Sequence, residues 1–484
     1  MDELRALVQR RGCIDVAVVL FDDYEMLDVY GPLELLACSK VLPHRESRGR
    51  MRIRFLSVAE TKMAKPADGV TTMTDACVYD DAAAPADVLF VPGGLGTRAL
   101  QHDAKFVARL AELAARATVV LSVCTGSLLL AASGALSGKK ATTNKVAFDE
   151  IASQHPSVQW QKAARWSVDG KFYTSSGVAA GIDLARFFLK ELFSTKVAQM
   201  ACNVAEYQHS EDADHDPFAH RTSKPVLKNS LGRTLRLVLV AYDQFEMLDT
   251  FGPLEMFAVA NRLLVRQGEK PAFELTSVAE DQLTKSFEGP VFCMDQVLQN
   301  ATRLEEIDLL LLPGGIGTIR EIYNPLFQHS IRALVESSQR VMTVCTGSAI
   351  LGSAGLLENR RGTTNKLAFD LMQLFAPRVK WFPTARWVVD GKFYTSSGVS
   401  AGTDLSLALL RELFGAQLAT AVADHAEYCW EATDEGTVDP FTHTIPKQTL
   451  GHRIFTRVQK AVVGMIFWLG FKCGFKMQIT RSLI

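Results

Sequence analysis

Two cysteines occur in the same setting. Ser122–Ser127 reads SVCTGS and Thr343–Ser348 reads TVCTGS, so Cys124 and Cys345 each follow a buried-looking apolar run and precede Thr-Gly. A small residue two before the cysteine and a glycine two after it fit a nucleophile elbow, a sharp strand-to-helix turn that presents one side chain. The N–H groups of the following helix would favour the thiolate, the reactive form. A structural core thiol is the plain alternative. Against it, Cys13, Cys38, Cys77, Cys202, Cys293, Cys429 and Cys473 have no counterpart across the copies, whereas these two do.

A nucleophile of this kind needs a partner that carries its proton. No histidine of the core is matched, because His102 faces Tyr323 and His155 faces Ala376. Cys-His chemistry is therefore poorly supported. The duplicated acids are Glu25, Asp28, Glu34, Asp149, Asp169, Asp183 and Glu206. Asp28 and Asp249 stand out, since they lie just beyond the first strand of each copy and before Gly-Pro. An ordinary helix N-cap has an equal claim on them. Asp169 and Asp390 read as hairpin-turn residues, and Asp183 and Asp404 as first-turn helix residues. Pro92-Gly93-Gly94 and Pro313-Gly314-Gly315 end a strand, where backbone N–H groups could form an oxyanion hole or merely a turn. Neither GGLGT nor GGIGT fits a phosphate loop, and no metal-ligand spacing appears, so neither metal nor cofactor is expected.

The motifs recur because the chain is duplicated. Tyr24–Ala37, Val88–Thr97 and Ala164–Ala185 return as Phe245–Ala258, Leu309–Thr318 and Ala385–Ser406. Cys124 and Cys345, Asp28 and Asp249, and Glu206 and Glu427 keep one separation of 221 residues, with a one-residue difference in a single loop. Two domains follow, over residues 1–222 and 223–448, and residues 449–484 form a tail. The join at His209–Thr234 is polar and reads as a solvated linker rather than a metal cluster. The tail beyond Gly451 carries basic and apolar residues but no acid. It fits a membrane-surface or partner-docking helix, or a segment without a role.

In each copy, short β-branched runs alternate with helical spacing: IDVAVVLF, RIRFLSVA, ADVLFVPGG and TVVLSVC in the first. GPLELLACS reads as a helix opened near Pro32, ARWSVDGKFYTSS as a hairpin at Asp169-Gly170, and VAAGIDLARFFLKELF as a long helix. This alternation implies an α/β fold with a mostly parallel sheet covered on both faces, binding ligands beyond the carboxyl ends of the strands.

Taken in this order, Leu-Asp-x-x-Gly-Pro, Pro-Gly-Gly, Val-Cys-Thr-Gly-Ser, Thr-Thr and the Asp-Gly hairpin resemble the DJ-1/PfpI superfamily, and within it the isonitrile hydratase branch. The resemblance implies two tandem flavodoxin-like α/β sandwich domains. It implies Cys124 and Cys345 as nucleophiles, Asp28 and Asp249 as catalytic acids, and Thr125 and Thr346 where protease-like relatives carry histidine. It places Gly93, Gly94, Gly314 and Gly315 at an anion pocket. Asn144-Lys145 and Asn365-Lys366 depart from the His-Trp expected there, and the serines before Gly177 and Gly398 replace glycines. These changes border the pocket and bear on substrate identity. The implied reaction is cofactor-free hydration of an isonitrile to an N-substituted formamide. Family members are typically dimers, so the copies are expected to form an intrachain pseudo-dimer. A glyoxalase-type relative acting on reactive carbonyls and a non-catalytic redox sensor or regulator domain are the other readings.

Bulk properties narrow the rest. The chain has 484 residues, 22% of them charged, with net charge −1, which gives no electrostatic case for nucleic acid. Nine cysteines without a paired framework suggest a reducing compartment. The first residues lack an apolar signal core, and no run reaches spanning length, so a cytoplasmic location and a small-molecule partner are expected.

Overall fold

The computed structural model describes residues 1–38, 50–80, 86–220, 225–301, 304, 306–430 and 438–445. The basic tail and the boundary near residue 222 lie outside them. Each half is built on a seven-stranded sheet. In the first, the spatial order is Trp166–Asp169, Phe172–Ser175, Val119–Ser122, Val88–Val91, Cys13–Leu20, Arg50–Ser57, Ala76–Cys77. All neighbours run parallel except the Trp166–Asp169/Phe172–Ser175 hairpin. The second half repeats this with Leu235–Val240 between Phe273–Ala279 and Ile307–Leu312. Central strands such as Val88–Val91 and Ile307–Leu312 are buried along their whole length, as continuous apolar runs in a doubly covered sheet should be. Among the described residues no helix is long and apolar enough to cross a membrane.

The helix expected to open near Pro32 begins earlier. It spans Met26–Ala37, with Pro32 inside it, and its counterpart spans Met247–Val265 around Pro253. The reason lies in the opposite half. Leu27 N donates to Glu255 Oε2 at 3.1 Å, and Leu248 N donates to Glu34 Oε2 at 3.4 Å. Each acid satisfies a first-turn N–H that a helix cannot satisfy itself. These two helices pack on each other, and Tyr30 stacks on Phe251 at 4.2 Å between ring centroids. The halves also share a four-stranded sheet in which Thr71–Met73 pairs antiparallel with Val291–Cys293.

The linker expectation needs a second correction. Part of His209–Thr234 is folded onto the first half: Asp216 and Phe218 are buried, and Asp216 accepts from Ser176 Oγ. Asp439 repeats this contact with Ser397. An aspartate with a matching serine and an Arg165 or Arg386 guanidinium beside it can be buried where unpaired acids cannot.

Candidate functional site

Both cysteines sit where the strand ends and the next helix starts. Cys124 and Cys345 have φ of 55° and 56°, in the left-handed region, and the helices Gly126–Ala132 and Gly347–Ser353 follow. A non-glycine residue there costs on the order of 1–3 kcal/mol and persists only where its surroundings hold it. The carbonyl of Cys124 accepts from Ser127 Oγ at 3.0 Å and Thr143 Oγ1 at 3.1 Å; that of Cys345 accepts from Ser348 Oγ at 3.2 Å and Thr364 Oγ1 at 3.0 Å. The serine of Cys-Thr-Gly-Ser and the second threonine of Thr-Thr-Asn are thus the clamps of the turn.

The acids meet these thiols. Asp28 lies in the first turn of its helix but does not cap it. Its Oδ2 accepts from Gly93 N at 2.9 Å, and Asp249 Oδ2 accepts from Gly314 N at 3.0 Å. The N-cap position belongs to Glu25 and Glu246, which make no side-chain cap bond. Both aspartates are fully buried. The Oδ1 of each has no hydrogen-bond partner among the described residues, and a hydrogen bond between each carboxyl and the neighbouring thiol only partly offsets the rise in pKa that burial causes.

Electrostatics reverse the expectation of a ready thiolate. Burial, then the charge of Asp28, pushes the Cys124 thiol well above its ordinary value; burial and Asp249 do the same to Cys345. Burial, then Glu25, raises Asp28, and burial raises Asp249. A short helix N-terminus is outweighed by loss of water around the sulfur. Each resting site is a protonated thiol beside an acid that can exchange its proton.

The Pro-Gly-Gly amides are already engaged. Gly93 N and Gly314 N serve the aspartates, while Gly94 N and Gly315 N donate to Thr125 Oγ1 and Thr346 Oγ1, each at 3.0 Å. An open oxyanion hole at these glycines is therefore not what the structure holds. Thr125 and Thr346 tie the elbow to the glycine turn, and the N–H groups of these threonines face the sulfurs. A Cβ on Gly93 would come within 2.6 Å of Thr125 N, so the contact admits only glycine.

Asn144 and Asn365 bring in residues from the opposite half. Asn144 Nδ2 and Lys145 N donate to Glu427 Oε1 at 3.1 and 2.7 Å. Asn365 Nδ2 and Lys366 N donate to Glu206 Oε1 at 3.0 and 2.7 Å. Glu206 therefore completes the second site and Glu427 the first. Both are buried, and the Oε2 of each has no hydrogen-bond partner among the described residues. The space beside them is kept by Gly177 and Gly398, where a Cβ would lie 2.2 Å from Glu427 Cδ and 2.1 Å from Glu206 Cδ. Glu206 and Glu427 are visible in the sequence as a matched acid in Ala-Glu-Tyr, but only the crossing of the chain assigns each to the other site.

The surroundings of the two sites differ. Burial alone would raise Glu25, yet the charge of Arg262 pulls it down to about 2; Arg262 Nη1 reaches Glu25 Oε2 at 2.8 Å. Its counterpart Glu246 instead meets Glu34 and Glu288, with one carboxylate oxygen of each within 4.8 Å of the others. Burial, then like charge, raises all three, Glu34 to about 8. Neutral acids bonded to one another account for this cluster, and acids alone do not make a metal site.

A pH dependence follows. Glu34, at about 8, and Glu206 and Glu427, at about 7, hold protons in the fold that their ordinary value of 4.5 would release. The native state thus binds more protons than the unfolded chain above 4.5, and stability drops as pH rises through 7 to 8. His425, lowered by burial to about 4 from 6.5, acts in the opposite sense only below 6.5. Tm is expected to fall between about pH 6.5 and about pH 8, and Glu34→Gln to flatten the upper part of the fall. A Tm that rises across this range in thermal unfolding would refute the assignment.

The sequence profile of the DJ-1/PfpI family matches residues 15–191 and again 236–412. Isonitrile hydratase of Pseudomonas putida is 31% identical over 198 residues, covering 40% of this chain and 78% of that protein. Protein DJ-1 homolog A of Arabidopsis thaliana is 21% identical over 392 residues, 80% of this chain and 93% of that one. Among solved structures, a THiJ/PfpI family protein from Pseudomonas syringae aligns at 21% identity with a TM-score of 0.37, over 51% of this chain and 97% of that one.

Proposed function

Starting from a chain that belongs to the DJ-1/PfpI family, we propose that this protein is a cofactor-independent cysteine enzyme that adds water to a small electrophile, an isonitrile above all. The observation that carries the reading is the buried, hydrogen-bonded thiol–carboxyl pair, Cys124 with Asp28 and Cys345 with Asp249, in which the acid's Oδ1 has no hydrogen-bond partner among the described residues. Such a pair moves one proton without a histidine. The isonitrile hydratase likeness supports the substrate.

In this reading Asp28 takes the thiol proton as Sγ attacks the terminal carbon of R–N≡C. The S–C bond forms and the proton passes from Asp28 to that carbon, leaving a thioimidate. Water then adds to the carbon, with Asp28 accepting a proton from it. Collapse breaks the C–S bond, returns a proton to sulfur and one to nitrogen, and releases R–NH–CHO. Burial serves both stages, because charge developing on sulfur is met by Thr125 N rather than by bulk water.

We propose further that the two halves work as an intrachain pseudo-dimer, the reciprocal entry of Glu206 and Glu427 supporting it. Turnover of p-nitrophenyl isonitrile and of methylglyoxal is the test, by wild type, Cys124→Ser, Cys345→Ser and the double variant. The isonitrile should be hydrated and the double variant should lose about 10³-fold or more. A double variant as active as wild type sinks the nucleophile assignment, and turnover of methylglyoxal alone moves the reading to carbonyl chemistry.

A further inference from the structure

The matched quartet of Cys, Asp, Thr and crossed Glu suggests two equal sites, but the residues around them are not equal. Cys124 opens into a cavity of about 260 Å³ whose wall includes Arg98, Glu150, Arg262, Arg266 and His425. Arg262 is committed to Glu25 and Glu255. Arg98 is not committed in this way. Its Nη2 lies 3.4 Å from the exposed Glu150 Oε2, while its Nη1 is buried without a hydrogen-bond partner among the described residues. Arg266 stands exposed at the same cavity.

In the second half three of these places change character. Arg98 in the helix Thr97–Leu100 becomes Ile319 in Thr318–Ile322; Glu150 becomes Leu371, and His425 becomes Val204. Ile319 is buried in an apolar cluster with Met372 and Phe375, against which Leu371 packs. A guanidinium with an unsatisfied buried N–H gains most from an anionic acceptor, and a wall of Ile and Leu excludes one.

We propose that the two sites divide substrates by charge: the Cys124 site takes a small electrophile bearing a carboxylate or like anion, received by Arg98 with Arg266, and the Cys345 site takes an uncharged, apolar one. For the isonitrile chemistry this rests on the function proposed above. The division itself does not, because it concerns what reaches each sulfur.

Alkylation separates the two. Iodoacetate and iodoacetamide differ in the carboxylate, and with either reagent the S–CH2 bond forms as C–I breaks, iodide leaves and the thiol proton passes to solvent. Rates at Cys124 and Cys345 are read in the full chain by mass spectrometry of the two cysteine-bearing peptides. The iodoacetate-to-iodoacetamide rate ratio should be about tenfold higher at Cys124 than at Cys345. Arg98→Gln and Arg98→Ile should each bring the Cys124 ratio down to that of Cys345 and leave the latter where it was. Equal ratios at both cysteines in wild type, or a Cys124 ratio that neither substitution moves, overturn the proposal. In parallel, Cys345→Ser is expected to prefer isocyanoacetate and Cys124→Ser cyclohexyl isonitrile. If neither isonitrile is hydrated while the alkylation ratios differ, the hydratase reading fails and the division by charge stands.

Discussion

In a chain carrying Cys345→Ser, so that only the first site turns over, Asp28→Asn is expected to lower kcat by about 10²- to 10⁴-fold, the range of a positioned proton carrier. Asparagine has almost the same shape, and its carbonyl oxygen can still accept from Gly93 N, as Asp28 Oδ2 does at 2.9 Å. What changes is the second position. Where Asp28 Oδ1 can take a proton from the Cys124 thiol, the amide NH2 can only donate toward sulfur. Because burial and the acid together hold the thiol protonated, loss of the acceptor leaves attack without a route for the proton. Tm should change little, since asparagine keeps the shape of the side chain and the bond from Gly93 N. Single-turnover measurement with an isonitrile, paired with thermal unfolding, decides it. A variant within about threefold of its parent would show that Asp28 carries no proton and serves only the glycine turn.

The second large effect crosses the chain. In the same Cys345→Ser background, Glu427→Ala should cost about 10²-fold in kcat/KM, although residue 427 belongs to the other copy. It leaves Asn144 Nδ2 and Lys145 N, now donating at 3.1 and 2.7 Å, without their acceptor. Buried donors stripped of a partner cost about 1–3 kcal/mol each, enough to shift the Thr-Thr-Asn segment that clamps the elbow. Glu206→Ala should have far less effect there, and in a Cys124→Ser background the two roles should exchange. Were each glutamate to matter only to the cysteine of its own copy, the reciprocal arrangement would not be the one that works in solution. Glu427→Gln separates the contributions: it restores the acceptor, and any remaining change in the pH profile reports the titrating oxygen.

How far these features could be read beforehand varies with their range along the chain. The duplication, the elbow at Cys124 and Cys345, the alternating α/β pattern and the parallel sheet are local or periodic, and the structure agrees with them. Asp28 was legible as a candidate, but its N-cap alternative was equally so, because the partner that decides between them, Gly93, is 65 residues away. The helix start at Met26 is not legible locally, because the acid that accepts from its first turn, Glu255, comes from the other half. The thiol's protonation is not legible locally, because a motif displays the helix after the cysteine and hides how completely the sulfur loses water. Gly93 and Gly94 kept their place beside the site but not the free amides expected of them, since Asp28 and Thr125 take those amides.

The Glu25–Arg262 pair has one more consequence. In an assembly of two identical chains, any residue placed at one site is placed at the other, so an arginine recruited to one pocket arrives in both. Here Glu25 and Arg262 come from different copies of a single polypeptide, and the mirror position holds Glu246 among protonated acids instead. Joining the copies released each pocket from its twin. Every lining residue can be altered once, for one site, by a single codon, and the molecule can inherit asymmetry that no homodimer could encode.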